Sequence, residues 1–278
     1  MPPTSATRIM AVFCDFENVA LGVRDAKYSA FDIQKVLERL LLRGNIVVKK
    51  AYCDWDRYKE FKAPMHEAAF ELIEIPHIRQ SGKNSADIRL VVDALDLCYT
   101  KAHVDSFVIV SGDSDFSPLV SKLRENNKIV IGVGVKKSTS DLLIGNCDEF
   151  IFYDDLVRET ESKKQRQSKP KATAGKTAKP SAPTAEQKKS ESEDEKRQQA
   201  VDWLMETAED LFEERGDEEK VWGSMVKQAL KRRKPGFNES YHGFRTFGEL
   251  LEEAQARKLL ELEYDEKSGG YIIRRLAV

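Results

Sequence analysis

From Thr160 to Gln199 the chain has no Val, Ile, Leu, Met, Phe, Trp, Tyr or Cys. A stretch with nothing apolar to bury cannot offset the entropy lost on ordering it, so no hydrophobic core can run through it. This divides the 278 residues in three. A first domain is expected over 1–157, a disordered linker over 158–197 and a smaller second domain over 198–278.

Charge follows the same division. The whole chain is close to neutral, with 45 Lys and Arg against 47 Asp and Glu for a net charge of −2, which taken alone argues against a polyanionic partner. By segment the balance is −3 over 1–157, +5 over 158–199 and −4 over 200–278. The linker reads either as a solvated spacer or as a basic tether with non-specific attraction for phosphates. The four cysteines, Cys14, Cys53, Cys98 and Cys147, have no metal-ligand spacing and lie in apolar runs. Reduced core thiols and a cytoplasmic protein are expected. No apolar run is long enough for a membrane span.

The first domain alternates short apolar runs with segments of helical spacing. Strands are expected at Ile9–Cys14, Ile46–Cys53, Ile73–Ile78, Phe107–Val110, Ile129–Val133 and Phe150–Tyr153. Helices are expected at Phe31–Leu42, Tyr58–Leu72, Ser85–Tyr99, Pro118–Asn126 and Asp141–Asn146. Apolar strands separated by helices predict an α/β fold, a doubly wound parallel sheet covered on both faces.

In such sheets ligands bind beyond the carboxyl ends of the strands. There the sequence places acids: Asp15-Phe16-Glu17-Asn18 at a turn after the first strand and Ser111-Gly112-Asp113-Ser114-Asp115-Phe116 after Phe107–Val110. Neither segment has a glycine pattern that cradles phosphates. A further acid is located by helical geometry. At about 100° per residue, Asp87 falls in the arc that also holds Val91, Ala94, Leu95 and Cys98, whereas Asp93 and Asp96 point largely away. It reads either as a first-turn charge on the helix dipole or as a third carboxylate facing the same crevice. Two carboxylates about 4 Å apart repel by roughly 4 kcal/mol at an effective dielectric near 20, so converging acids need a counter-charge. An all-oxygen set favours Mg²⁺ or Mn²⁺ over zinc. His66, His77 and His103 lack partners at metal spacing.

These segments, with Lys83-x-x-x-Asp87, Ser117-Pro118-Leu119, Leu142 and Cys147-Asp148-Glu149-Phe150, resemble the NYN domain over roughly residues 8–155. The resemblance implies a PIN-like nuclease fold and an Mg²⁺- or Mn²⁺-dependent site acting on RNA. It assigns Asp15, Asp87, Asp113 and Asp115 as metal carboxylates and Asn18 as a supporting polar group, with Asp93 and Asp141 second to them. Glu17 reads as a fifth ligand or a turn charge. Ser111 and Ser114 either orient carboxylates or only form the turn, and Lys83 either meets a scissile phosphate or is an exposed loop lysine. The resemblance also leaves room for a homodimer.

The last segment reads as three helices, Gln198–Arg215, Val221–Leu230 and Gly243–Arg257. A hairpin follows, with strands Leu260–Tyr264 and Tyr271–Arg275 around Ser268-Gly269-Gly270. Three helices and a two-stranded wing predict a small winged helix-turn-helix domain. The block Lys231-Arg232-Arg233-Lys234-Pro235-Gly236-Phe237, with Tyr241, Phe244 and Phe247, resembles the OST-HTH (LOTUS) domain. That implies binding of structured RNA, or instead a protein partner. Lys231, Arg232, Arg233 and Lys234, extended by Arg274 and Arg275, form the expected phosphate-contact patch. The block also suits the negative end of a helix dipole, and the aromatic residues, with Trp203 and Trp222, read chiefly as core.

The combined expectation is a metal-dependent endoribonuclease for single-stranded RNA, with RNA recruited by the tether and the second domain. A non-catalytic RNA-binding or regulatory adaptor is the alternative. A phospho-receiver-like domain is disfavoured, because its third carboxylate would come from a helix and only Lys136 could serve as its lysine.

Overall fold

The computed structural model describes residues 7–75, 85–167, 186–215, 220–266 and 269–275. The chain forms two compact units, 1–164 and 165–278. The first is built on β1 (Arg8–Asp15), β2 (Gly44–Cys53), β3 (Glu71–Glu74), β4 (Ser106–Val110), β5 (Ile129–Gly134) and β6 (Glu149–Phe152). All neighbouring strands pair in parallel, in the order β3-β2-β1-β4-β5-β6. The strand order reverses between β1 and β4, so the switch point of this α/β sheet lies between them.

The helices are α1 (Phe16–Asp25), α2 (Ile33–Leu41), α3 (Lys59–Glu67), α4 (Ser85–Thr100), α5 (Ser117–Glu125), α6 (Asp141–Asn146) and α7 (Tyr153–Gln167). The period of two in β1 separates the cores. Met10, Val12 and Cys14 join Phe16, Val19 and Val23 of α1, Val36 and Leu40 of α2, and Met65 of α3. Ala11 and Phe13 face the other way, with Leu90, Ala94 and Cys98 of α4, Leu119 and Leu123 of α5, and Leu143 of α6. Burial on both faces explains why β1 and β4 are continuous apolar runs. All four cysteines are buried and unbridged.

Several boundaries differ from expectation; in the last segment the expected Val221–Leu230 helix starts at Gly223 and the expected Gly243–Arg257 helix at Phe247, where Thr246 caps it. The residues after β1 do not turn; α1 begins at Phe16, because the Asp15 side chain accepts the Asn18 N–H at 3.4 Å and caps it. The expected Tyr58–Leu72 helix ends at Glu67, and Glu71–Leu72 belong to β3. Ala69, with φ of 57°, turns the chain between them. Helix also enters both ends of the expected linker, as α7 runs to Gln167 and α8 (Glu186–Arg215) starts well before Gln198. The segment 186–197 is rich in Glu, Lys and Gln, strong helix formers that need no apolar face to extend an anchored helix. Residues 168–185, with Pro170, Pro180 and Pro183, lie outside the described residues, as do Lys83, His77 and Ser268.

The second unit contains α8, β7 (Val221–Trp222), α9 (Gly223–Arg233), α10 (Phe247–Ala256), β8 (Glu261–Asp265) and β9 (Gly270–Arg274). Its sheet is antiparallel in the order β7-β9-β8. Ala200, Leu204, Ala208, Val226, Leu230, Phe244, Leu250 and Ile273 share one core. Phe237, Phe244 and Phe247 are buried there, as the spacing predicts.

Candidate functional site

The parallel register places Cys14 beside Val110, so Asp15 and Ser111 leave the sheet next to each other. Both are buried, Asp15 at 7% exposure and Ser111 at 0%. The Ser111 hydroxyl donates to Asp15 Oδ2 at 2.9 Å and its oxygen accepts the Asp113 N–H at 3.2 Å. Asn18, one turn into α1, accepts the Gly112 N–H on Oδ1 at 2.9 Å. The two acidic segments are thus tied by Ser111 and Asn18. Asp113 in turn accepts the Asp115 N–H at 3.0 Å and caps the single helical turn Ser114–Phe116.

Asp87 enters from α4. It is half-buried, three residues before Leu90, on the face that carries the buried Leu90, Ala94 and Cys98. Burial pushes its carboxyl up to about 6, reinforced by the charges of Asp113, Asp115 and Glu17. Asp15 rises to about 7, first through burial and then through the Asp87 charge, with a smaller push from Asp113; the bonds from Ser111 and Asn18 pull it down. Four expected metal carboxylates, from β1, α4 and the β4 turn, therefore share one electrostatic field, and Glu17 contributes to it. Among the described residues no three His, Cys, Asp or Glu side chains are grouped closely enough to hold a metal ion as they stand. The donor set is nonetheless hard oxygen throughout, and acids of one sign raised by burial and by neighbouring acids are the chemistry that a divalent cation offsets.

Other expected residues are placed elsewhere. Asp93 accepts from Tyr52 at 2.9 Å and Lys50 at 3.3 Å, and from Arg89 at 3.0 Å. These partners outweigh its burial and hold its carboxyl below the usual range, so Asp93 fastens α4 to β2. Asp141 is exposed in the first turn of α6. Lys136 pairs with Asp155 at 3.5 Å.

Sequence reasoning missed the clamp behind the site. A Cβ on Gly22 would lie 2.3 Å from Ser138 Oγ, and one on Gly112 only 2.4 Å from the Ser138 carbonyl oxygen. Ser140 N–H also donates to the Gly112 carbonyl at 2.9 Å. The loop after β5 is thereby wedged between α1 and the β4 turn. The one available signal was a glycine inside an amphipathic helix, which requires a packing reason.

The NYN domain profile matches residues 9–154, more than half of the chain. The chain belongs to the NYN domain family. The NYN domain is a ribonuclease-type fold of the PIN-like superfamily. The chain is 26% identical over 148 residues to "Meiosis regulator and mRNA stability factor 1" of Xenopus tropicalis, covering 53% of this chain and 9% of that protein. It is 28% identical over 120 residues to an uncharacterised protein of Methanocaldococcus jannaschii, covering 43% of this chain and 47% of that one. The chain thus spans less than half the length of these curated relatives. A solved structure of a protein of unknown function from Vibrio parahaemolyticus is 29% identical. It covers 55% of this chain and 97% of its own, with a TM-score of 0.49. The NYN match ends at Asp154 and leaves the second unit outside it.

In the second unit, α9 ends in Lys231, Arg232 and Arg233, so these charges suit the helix dipole. Arg233 pairs with Asp210 at 2.5 Å, and Arg274 makes bonds of 2.9 and 2.6 Å to Glu263. Lys234 lies 5.3 Å over the Trp203 ring and Arg275 5.3 Å over Phe212. Arg232 is exposed. No helix among the described residues is long and apolar enough to cross a membrane.

Proposed function

We propose that the NYN unit is a metal-dependent endoribonuclease that cleaves single-stranded RNA at the carboxyl edge between β1 and β4. The observation that carries this reading is the convergence of Asp15, Asp87, Asp113 and Asp115 at one edge, tied through Ser111 and Asn18, where burial first and neighbouring acids second raise two of the four. Acids kept together at such a cost mark a functional site more than a structural one. These four residues would hold Mg²⁺ or Mn²⁺, with Glu17 at their edge. A bound ion of this kind polarises a phosphoryl oxygen and makes water a stronger nucleophile. Ser111 and Asn18 act as positioning residues: one fixes the Asp15 rotamer and the other fixes the Gly112 backbone before Asp113.

The three helices and antiparallel sheet of the second unit fit a winged helix-turn-helix of the OST-HTH type, used here to recruit RNA through Lys231, Arg232, Arg233 and Lys234, with Arg274 and Arg275. The printed name of the Xenopus relative connects that protein with mRNA stability, which is in keeping with an RNA substrate. The test is Mn²⁺-dependent cleavage of an RNA panel by the full chain and by Asp113→Asn. Cleavage by the wild type and its loss in the variant are expected; equal activity in both would refute the assigned site.

The adaptor reading draws on a different observation, that no three His, Cys, Asp or Glu side chains among the described residues are grouped closely enough to hold a metal ion. Calorimetric titration with Mn²⁺ separates the two. Tight RNA binding with no metal uptake supports an adaptor.

A further inference from the structure

A second feature lies beside the carboxylates and plays no part in holding a metal. Between α1 and α3 runs a groove of about 410 Å³, a volume in the range of small-ligand sites. Its walls include Tyr28, Phe31, Tyr58 and Phe61, and its basic residues are Arg24 and Arg57, with Glu60 the one acid. Tyr58 and Phe61 are half-buried and both arginines are exposed. The rings are fixed from below by Phe16, whose centroid is 5.7 Å from Tyr58 and 5.1 Å from Phe61. Phe16 is fully buried and directly follows Asp15, so the aromatic wall and the first carboxylate are set by adjacent residues.

The groove is joined to the acidic edge at a second point. Arg57 donates from Nη1 to Glu17 at 3.1 Å, and Glu17 is one of the charges acting on Asp87. Along α1 the lining starts at Ala20, five residues beyond Asp15 and so about 8 Å along the helix axis. One nucleotide of an extended strand spans such a distance. Aromatic faces stack any base, and guanidinium groups meet the backbone phosphates and stack as well. Duplex RNA keeps its base faces covered and cannot use an aromatic wall of this kind.

We infer that the α1–α3 groove is a nucleotide subsite, holding the base and phosphate next to the scissile bond of single-stranded RNA, with Tyr58 and Phe61 as the stacking wall and Arg24 as the phosphate contact, while Arg57 is held by Glu17. This rests on the ribonuclease reading above for the meaning of "next to the scissile bond", but the binding it describes does not require cleavage.

The experiment uses the full chain in EDTA and a short 4-thiouridine-containing single-stranded RNA. Binding is measured by anisotropy, and crosslinked peptides are mapped by mass spectrometry. The expected crosslink falls in the peptide containing Arg57, Tyr58 and Phe61. Tyr58→Ala weakens binding by about tenfold to a hundredfold, the loss of one stacked base, and Tyr58→Phe restores it. Arg24→Glu, at an exposed position that leaves the core intact, weakens binding and reduces the single-strand salt slope by at least about 0.7. A duplex of the same sequence binds the wild type, Tyr58→Ala and Tyr58→Phe alike. Unchanged single-strand affinity in Arg24→Glu and in a folded Tyr58→Ala, with no crosslink in that peptide, overturns the subsite. If these effects appear but the wild type cleaves no RNA with Mn²⁺, the subsite stands and the nuclease reading falls. If the wild type cleaves and Tyr58→Ala keeps its KM and cleavage positions, the reverse holds.

Discussion

The acidic edge of the NYN unit and the basic helix end of the second unit treat charge in opposite ways. At the acidic edge the charges are of one sign, and two of them, Asp15 and Asp87, are pushed up in pKa first by burial and then by neighbouring acids. At the basic end most are exposed, and several of them, with Arg274 and Arg275 beyond the helix, already have local partners in Asp210, Glu263 and the Trp203 and Phe212 rings. Exposed, paired charge contributes little to stability and costs little to keep. Buried like charge destabilises the fold, so its persistence calls for a ligand. The contrast explains why the strongest functional inference belongs to the first unit, although four consecutive basic residues are the more visible feature of the sequence.

The largest effect expected from this contrast is on catalysis. Asp113→Asn or Asp87→Asn removes one ligand of the proposed cation site. With several kcal/mol of transition-state stabilisation at stake, Mn²⁺-dependent cleavage falls by about a thousandfold, with RNA affinity in EDTA nearly unchanged. Gel-based single-turnover rates and anisotropy measure the two quantities. A variant that loses affinity but keeps its rate would reverse the roles assigned to the two regions.

The next effect is on stability. Asp15 and Asp87 hold their protons more tightly in the fold than in the open chain, since both lie above the usual 3.8. Their protonated forms favour folding. This contribution is complete below about pH 4 and is lost as pH rises through about 6 and 7. For the nearly buried Asp15 the loss amounts to up to about 4 kcal/mol. In EDTA, Asp15→Asn is therefore more stable than the wild type at pH 7.5, and the difference in Tm shrinks toward pH 4. Mn²⁺ raises the wild-type Tm at pH 7.5 much more than at pH 4. A Tm difference independent of pH would show that Asp15 is not held under strain.

Much of this edge could be read from residue order. Apolar runs such as Phe107–Val110 are strands because burial on both faces needs no alternation. The helical period also aligned Asp87 with Ala94 and Cys98 without coordinates. What could not be read was pairing at long range. The two-residue β7 exists only because Val221 and Trp222 pair with Ile273 and Ile272, and no local pattern marks it. The start of α1 was hidden because Asp15 serves two purposes, as helix cap and as site carboxylate, and its sequence context suggested a turn. Ser111 could be named as a residue of the turn, but its bond to Asp15 depends on the β1–β4 register. The wedging of Ser138 between Gly22 and Gly112 depends on three separate segments meeting.

That wedge gives a smaller prediction. Gly112→Ala places a Cβ against the Ser138 carbonyl, which is backbone and cannot swing aside. A loss of about 1–3 kcal/mol is expected, as for other overpacked sites, with a fall in cleavage rate because Asp113 is displaced. Asn18→Ala leaves the Gly112 N–H without its partner and costs a similar amount, about 1–3 kcal/mol. Urea unfolding and cleavage rates on the same samples test whether both positions act through the turn. If either substitution lowers the rate without lowering stability, its residue has a more direct part in the chemistry.

The smallest expected effect separates charges within the basic region itself. Arg232 is exposed at the end of α9, whereas Arg274 is engaged twice by Glu263. A guanidinium already bonded to a carboxylate must exchange that partner for a phosphate and gains little net attraction by doing so. Arg232→Ala should therefore weaken RNA binding uniformly across sequences and reduce the salt slope by about 1, whereas Arg274→Ala changes the slope by much less. Glu263→Ala is the complement: it releases Arg274 and should strengthen binding at low salt. Affinity measured between 50 and 200 mM salt resolves these slopes. If Arg274→Ala costs more than Arg232→Ala, local pairing does not weaken a phosphate contact, and the contrast between the two regions rests on burial alone.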